Sequence, residues 1–203
     1  FLADRYLVFG NPKNYGVAGG EYVSEVASSM GLETNITSVI RAPSVVKLGY
    51  EADPNPSGHI VLILPTAPAE AHHVITCGLI ASNAEVFYGR IAQFVRQLES
   101  EIEVKIKMSP KKFGLTYEDY CHAHGTYPRF VGGSVVDQII ASRLAIIAYD
   151  GTAALEALAL GRPFVWVIDS EFFPLRCRMQ SALVSVMGSG VVHSSFESAL
   201  DFL

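Results

Sequence analysis

Charge is scarce in this 203-residue sequence: Asp, Glu, Lys and Arg together make up 17% of it, and the formal balance is −5. A chain so thinly and slightly negatively charged lacks the basic face that non-specific nucleic-acid binding needs, so no nucleic-acid partner is expected. Cysteine is rarer still. Cys77, Cys121 and Cys177 form an odd set without regular spacing, which excludes a disulfide framework and fits reduced thiols in a cytoplasmic protein. Long apolar runs are missing too. A stretch such as Ile60–Leu64 has strand length and falls far short of the about 20 residues that a membrane-crossing helix requires. The chain opens on Phe1-Leu2-Ala3-Asp4 with no initiator Met and no charged leader, so the expectation is no signal peptide and a piece of a larger protein. What the sequence does have is apolar material. Half its residues are hydrophobic, enough for a substantial core and incompatible with disorder.

Residues 51–58, Glu-Ala-Asp-Pro-Asn-Pro-Ser-Gly, interrupt that material with two prolines, a glycine and two acids, the chemistry of a linker. Three parts result: residues 1–50, the linker at 51–58, and residues 59–203. In the first part, Tyr6–Phe9 and Ile36–Ile40 read as strands and Glu21–Met30 as a helix with Gly31 behind it. These are expected to be the closing elements of an α/β domain. Beyond the linker, strand-like and helix-like segments alternate. Strands are expected at 60–64, 102–106, 144–148, 164–168 and 191–192, and helices at 85–98, 152–160 and 174–187. Thr116-x-x-Asp119, Ser134-x-x-Asp137 and Ser194-x-x-Glu197 are capping signatures, with the second the best placed because Gly132-Gly133 precede it. This rhythm predicts βαβ units, and hence a Rossmann-like, doubly wound parallel sheet with helices on both faces.

Such sheets bind ligands outside the carboxyl ends of their strands. Asp150-Gly151-Thr152 lies at one of these ends, where a strand stops, a glycine turns the chain and a helix begins. The unpaired N–H groups and positive dipole end of a helix start suit a phosphate, Gly151 allows close backbone approach, and the Thr152 hydroxyl can donate. The alternative is that Thr152 simply caps the helix. Glu156, one turn on, is either a solvated acid or an acceptor for the two hydroxyls of a ribose.

The segment Tyr149-Asp-Gly-Thr-Ala-Ala-Leu-Glu-Ala-Leu-Ala-Leu-Gly-Arg-Pro163 resembles the sugar-nucleotide motif of glycosyltransferases with the two-Rossmann GT-B architecture. It looks most like bacterial surface-carbohydrate transferases related to the CDP-glycerol glycerophosphotransferases. Phe172-Phe-Pro-Leu-Arg176, Ser189-Gly-Val-Val192 and the opening Ala3–Gly10 are also similar to those proteins. The resemblance implies that residues 59–203 form the C-terminal, nucleotide-sugar-binding half of such an enzyme and residues 1–50 a remnant of the domain before it. It implies phosphate binding at Gly151 and Thr152, with Asp150 beside them, and ribose binding at Glu156. Related transferases carry a basic residue along the strand that here reads Val104-Lys-Ile-Lys-Met-Ser-Pro110, and a His-Pro pair at its end. Ser109 replaces that His, leaving the charge to Lys107, Lys111 or Lys112, unless these lysines only protect a sheet edge.

Thr66, in the loop after the first strand of this domain, is a further expected contact, with His72 and His73 as exposed loop residues or a base. Arg176 is expected either to clamp a phosphate bidentately or to pair with Asp169 or Glu171. No metal site is expected, because Cys121-His122-Ala-His124 is too compact to fill a coordination shell and no Asp-x-Asp pair exists. No cofactor is expected beyond the nucleotide-activated donor. The function implied is transfer of a sugar or similar group to a surface-carbohydrate acceptor, with peripheral membrane association left to the preceding domain. A sugar-nucleotide epimerase of the same shape and a non-catalytic binding or assembly module are the alternatives. The chain alone is expected to be inactive as a transferase.

Overall fold

The computed structural model describes residues 6–9, 36–40, 58–65, 79, 81–108, 114–173 and 190–203. The chain divides into two compact units, Phe1–Gly49 and Tyr50–Leu203. In the first, β1 (Tyr6–Phe9) pairs in parallel with β2 (Ile36–Ile40), with Leu7 opposite Ser38 and Phe9 opposite Ile40. Both strands have the ends expected from the sequence. The helix expected at 21–30 lies outside the described residues, as does the one at 174–187.

The second unit holds a six-stranded sheet whose strands are all parallel: β3 (Ile60–Leu64), β4 (Val104–Met108), β5 (Arg129–Phe130), β6 (Leu144–Ile147), β7 (Phe164–Val167) and β8 (Val192–His193). Their order across the sheet is β5-β4-β3-β6-β7-β8. Counted from β3 as the first strand, this is the 3-2-1-4-5-6 order of the doubly wound Rossmann fold. The chain runs one way from β3 to β5, returns to β6 beside β3, and runs the other way to β8. The crevice of such a sheet opens where the direction reverses, outside the carboxyl ends of β3 and β6.

Five helices are described: α1 (Ala81–Leu98), α2 (Tyr117–Ala123), α3 (Val135–Ala141), α4 (Thr152–Ala159) and α5 (Phe196–Phe202). Strand alternation sends Ile60, Leu62, Leu64, Val104, Ile106, Ile146, Val165 and Val167 into one core with Phe87, Ile91, Phe94, Phe196 and Ala199 of α1 and α5. Val61, Ile63, Ala145 and Ile147 alternate with them, are equally buried, and face the opposite way under α3 and α4. Both faces being covered, β3 is apolar at every position.

Several boundaries differ from the sequence reading. The second strand of the sheet starts at Val104, because Ile102 still donates its N–H to Leu98 in the turn that ends α1. Thr116 and Asp119 form the complete reciprocal capping box, whereas at Ser134 the side chain accepts from Asp137 N–H without a return bond being formed to the cap. The last helix is capped by Ser195, whose extended backbone and hydroxyl serve the Ser198 N–H, not by Ser194. The short β5 was not foreseen, since two residues leave no period to read. It occupies the sheet edge and makes β4 an interior strand, so edge protection does not explain Lys107.

Candidate functional site

At the carboxyl end of β6 the chain passes through Ala148, buried among β3 and β7, and turns at Tyr149–Gly151 into α4. The turn is held from two sides. The Trp166 indole N–H on β7 donates to the Tyr149 carbonyl at 2.7 Å, and the Gly151 N–H donates to the same oxygen at 3.0 Å. Gly151 itself is the N-cap, in extended conformation, and no side chain caps the helix. The alternative that Thr152 caps the helix is therefore corrected: Thr152 is the first residue inside α4, and its hydroxyl is not spent on capping. The first N–H groups of a helix have no intrahelical acceptor, so this end presents donors and the positive end of the dipole to the crevice.

Gly151 has a steric reason to be glycine beyond the close approach of a ligand. A Cβ built there would lie 1.9 Å from Cε2 of the Tyr149 ring. The aromatic ring thus folds over the turn and fills the space a side chain would need.

The two acids of the motif sit in different surroundings. Asp150 lies at the surface, yet the protein packed round its carboxyl removes enough water to raise its pKa above the ordinary value, against a bond from its own backbone that works the other way. Glu156 is half-buried and its carboxyl is also raised by loss of water. The helix buries Ala153, Ala154 and Ala157 against the sheet, whereas Leu155 and Leu158 are 48% and 65% exposed. Small residues let α4 lie close to the strands.

Lys107 is buried, and strand register sets it level with Ile63 and Ile147, on the sheet face that α3 and α4 cover. The structure therefore brings Lys107 to the carboxyl end of β4 and Asp150, Gly151 and Thr152 to that of β6, the strands on either side of β3, with Glu156 one turn along α4. Thr66, His72, His73, Ser109, Lys111, Lys112 and Arg176 lie outside the described residues. The carboxylates considered as partners for Arg176 are engaged elsewhere: Arg90 of α1 bonds Asp169 at 2.8 Å and Glu171 at 2.6 Å, and its guanidinium lies 4.9 Å from the centre of the Phe172 ring. Those carboxylates and the Glu171 bond hold the Arg90 pKa up. This clamp ties the turn after β7 to α1 across the carboxyl end of the sheet. Among the described residues, no group of three His, Cys, Asp or Glu side chains is placed to hold a metal.

Sequence reasoning passed over Tyr149 as a structural element of the turn, and Trp166 and Arg90 altogether. Trp166 had one available signal, being the chain's single tryptophan, whose N–H needs an acceptor when partly buried.

A parallel sheet in this order, with helices on both faces, defines a Rossmann-like, doubly wound domain. Residues 11–203 match the family model described as LIC12162 family transferase, so the chain belongs to that family of transferases. No curated protein matches it. No described helix is long and apolar enough to cross a membrane.

Proposed function

We propose that the second unit binds the nucleotide part of an activated donor, from which the transferase moves a sugar or similar group to a carbohydrate acceptor. The observation that carries this reading is the start of α4 at the switch point: a helix N-terminus with a glycine cap, no capping side chain and a held turn. The donor diphosphate would lie against the N–H groups of α4 and the Thr152 hydroxyl. Glu156 would accept from the ribose hydroxyls, Lys107 and Arg176 would balance phosphate charge, and Thr66 would contact the diphosphate or donor sugar. In the transfer the acceptor oxygen forms the new bond to the donor carbon while the bond from that carbon to the diphosphate breaks. The electron pair leaves with the phosphate oxygen, and the acceptor proton passes to a base. Holding the donor and stabilising the departing charge are this unit's contributions.

Titration calorimetry of the chain with CMP, CDP, UDP and GDP and the matching nucleosides tests the reading. Thr152→Val should weaken the diphosphates by about 1–3 kcal/mol and spare the nucleosides, and Glu156→Gln should weaken both by a similar amount. A 2′,3′-dideoxy nucleotide should be insensitive to the change at Glu156. Absence of any nucleotide binding would leave the assembly-module alternative. Isomerised donor as the only product of the complete enzyme would favour the epimerase.

A further inference from the structure

A second concave site lies away from the turn at Tyr149–Thr152. The C-terminal half of α1 and the loop joining α2 to β5 enclose a cavity of about 260 Å³. Pro128, on its wall, directly precedes β5, so the cavity sits toward the amino end of the sheet, opposite the crevice. Val95 and Tyr117, both buried, form an apolar floor. Tyr127 is 79% exposed at the mouth, with the His122 ring edge-on at 6.0 Å. Arg96 and Glu99, one helical turn apart, complete the lining.

That pair makes the cavity selective. Among the described residues neither Arg96 nor Glu99 forms an ion pair, although they stand on one helix face. Glu99 is exposed, and the protein packed beside it raises its carboxyl by partial loss of water. The two charges cancel: an anion entering the cavity meets Glu99 and a cation meets Arg96. A neutral ligand with both donors and acceptors satisfies the acceptor-only carboxylate and the donor-only guanidinium together. An apolar patch on the same ligand would cover the Tyr127 face, which offers a flat hydrophobic surface with a polar tip. A pyranose ring, with hydroxyls round its rim and C–H bonds on its face, combines these properties at this size.

We propose that this cavity is a binding subsite for a single neutral hexose unit, as presented by an oligosaccharide chain, with the sugar face on Tyr127 and its hydroxyls between Arg96 and Glu99. The subsite is separate from the crevice and stands independently of the nucleotide reading. It would hold carbohydrate on the protein at a distance from the reacting groups.

The experiment is an NMR titration of the full chain with methyl glucoside, methyl galactoside, methyl mannoside and N-acetylglucosamine, and separately with glycine and glutamine as zwitterions. At least one hexose should shift the amides of Arg96, Glu99 and Tyr127 with a Kd on the order of 1 mM. Tyr127→Ala should lower that affinity about tenfold or more and Tyr127→Phe should keep it, since the ring is retained. Glu99→Gln should weaken it severalfold. Tyr127 and Glu99 are exposed, so these variants keep the fold, and saturating CDP or UDP should leave the shifts unchanged. The proposal is overturned if no hexose binds, if Tyr127→Ala binds as well as the parent, or if only the zwitterions bind. The nucleotide reading fails separately, through Thr152→Val.

Discussion

The two faces of the six-stranded sheet are built from different material. Under α1 and α5 the core is aromatic: the Phe87 ring centre lies 5.7 Å from Tyr88, 5.1 Å from Phe172, 5.6 Å from Phe173 and 6.0 Å from Phe196. Under α4 the contact is made by three alanines, while two leucines of the same helix point to solvent. The aromatic face has area to bury and binds distant segments together, including the turn that Arg90 also holds. The alanine face contributes little area per residue but brings a helix start close to the strand ends. One face supplies stability and the other supplies position.

The contrast is sharpest in large-to-small substitutions. Phe87→Ala should destabilise the domain by about 3–5 kcal/mol, because four rings lose a shared partner. Leu158→Ala, on the exposed side of α4, should change stability by no more than about 0.5 kcal/mol. Urea denaturation of both variants checks the difference, and comparable losses would abolish the distinction between the faces.

A smaller effect is expected at the turn. Gly151→Ala must displace the Tyr149 ring and should cost about 1–3 kcal/mol, as overpacking does. In a Tyr149→Ala background the same change should cost much less, so the double-mutant cycle should be strongly non-additive. Additive losses would mean that the ring does not occupy the space over Gly151.

The smallest effect has the opposite sign. The folded-state pKa of Glu156 is raised above its ordinary value of 4.5 by lost hydration, so its ionised form opposes folding. Stability is lost as pH rises through 4.5 toward the raised value. Glu156→Gln should therefore be slightly more stable than the parent at pH 7, by less than about 1 kcal/mol given its contact with solvent, and melt higher accordingly. The advantage should vanish below pH 4, where the parent carboxyl is protonated. Thermal melts at the two pH values decide it; an equal gain at both would assign the effect to something other than charge.

The elements that could be read from the sequence are those whose physics is local. Ile60–Leu64 is apolar at every position and forms the strand expected there, inside the sheet. Thr116 and Asp119 lie three residues apart and cap each other. Boundaries slipped where neighbouring residues offered equivalent chemistry, as with Ser194 and Ser195. Periodicity does not decide which side of α4 is buried, since leucines and alanines both count as apolar and only the distance to the sheet separates them. In the candidate site, Asp150-Gly151-Thr152 was legible because strand end, turn and helix start are contiguous. The bond from Trp166 to Tyr149 and the bridge from Arg90 to Asp169 were not, because they join residues 17 and 79 positions apart. Such pairings depend on strand order.

The bond between Trp166 and the Tyr149 carbonyl also gives the protein its own optical probe. With one tryptophan in the chain, all indole emission comes from the residue that holds the turn before α4. Indole fluorescence responds to the strength of the bond its N–H donates and to the polarity around the ring. Any ligand that tightens, loosens or dehydrates this turn should change the colour or intensity of the emitted light, without a label and without altering a residue. Ligands seated in the cavity beside Tyr127 should leave it unchanged, so one spectrum separates occupancy of the two ends of the sheet.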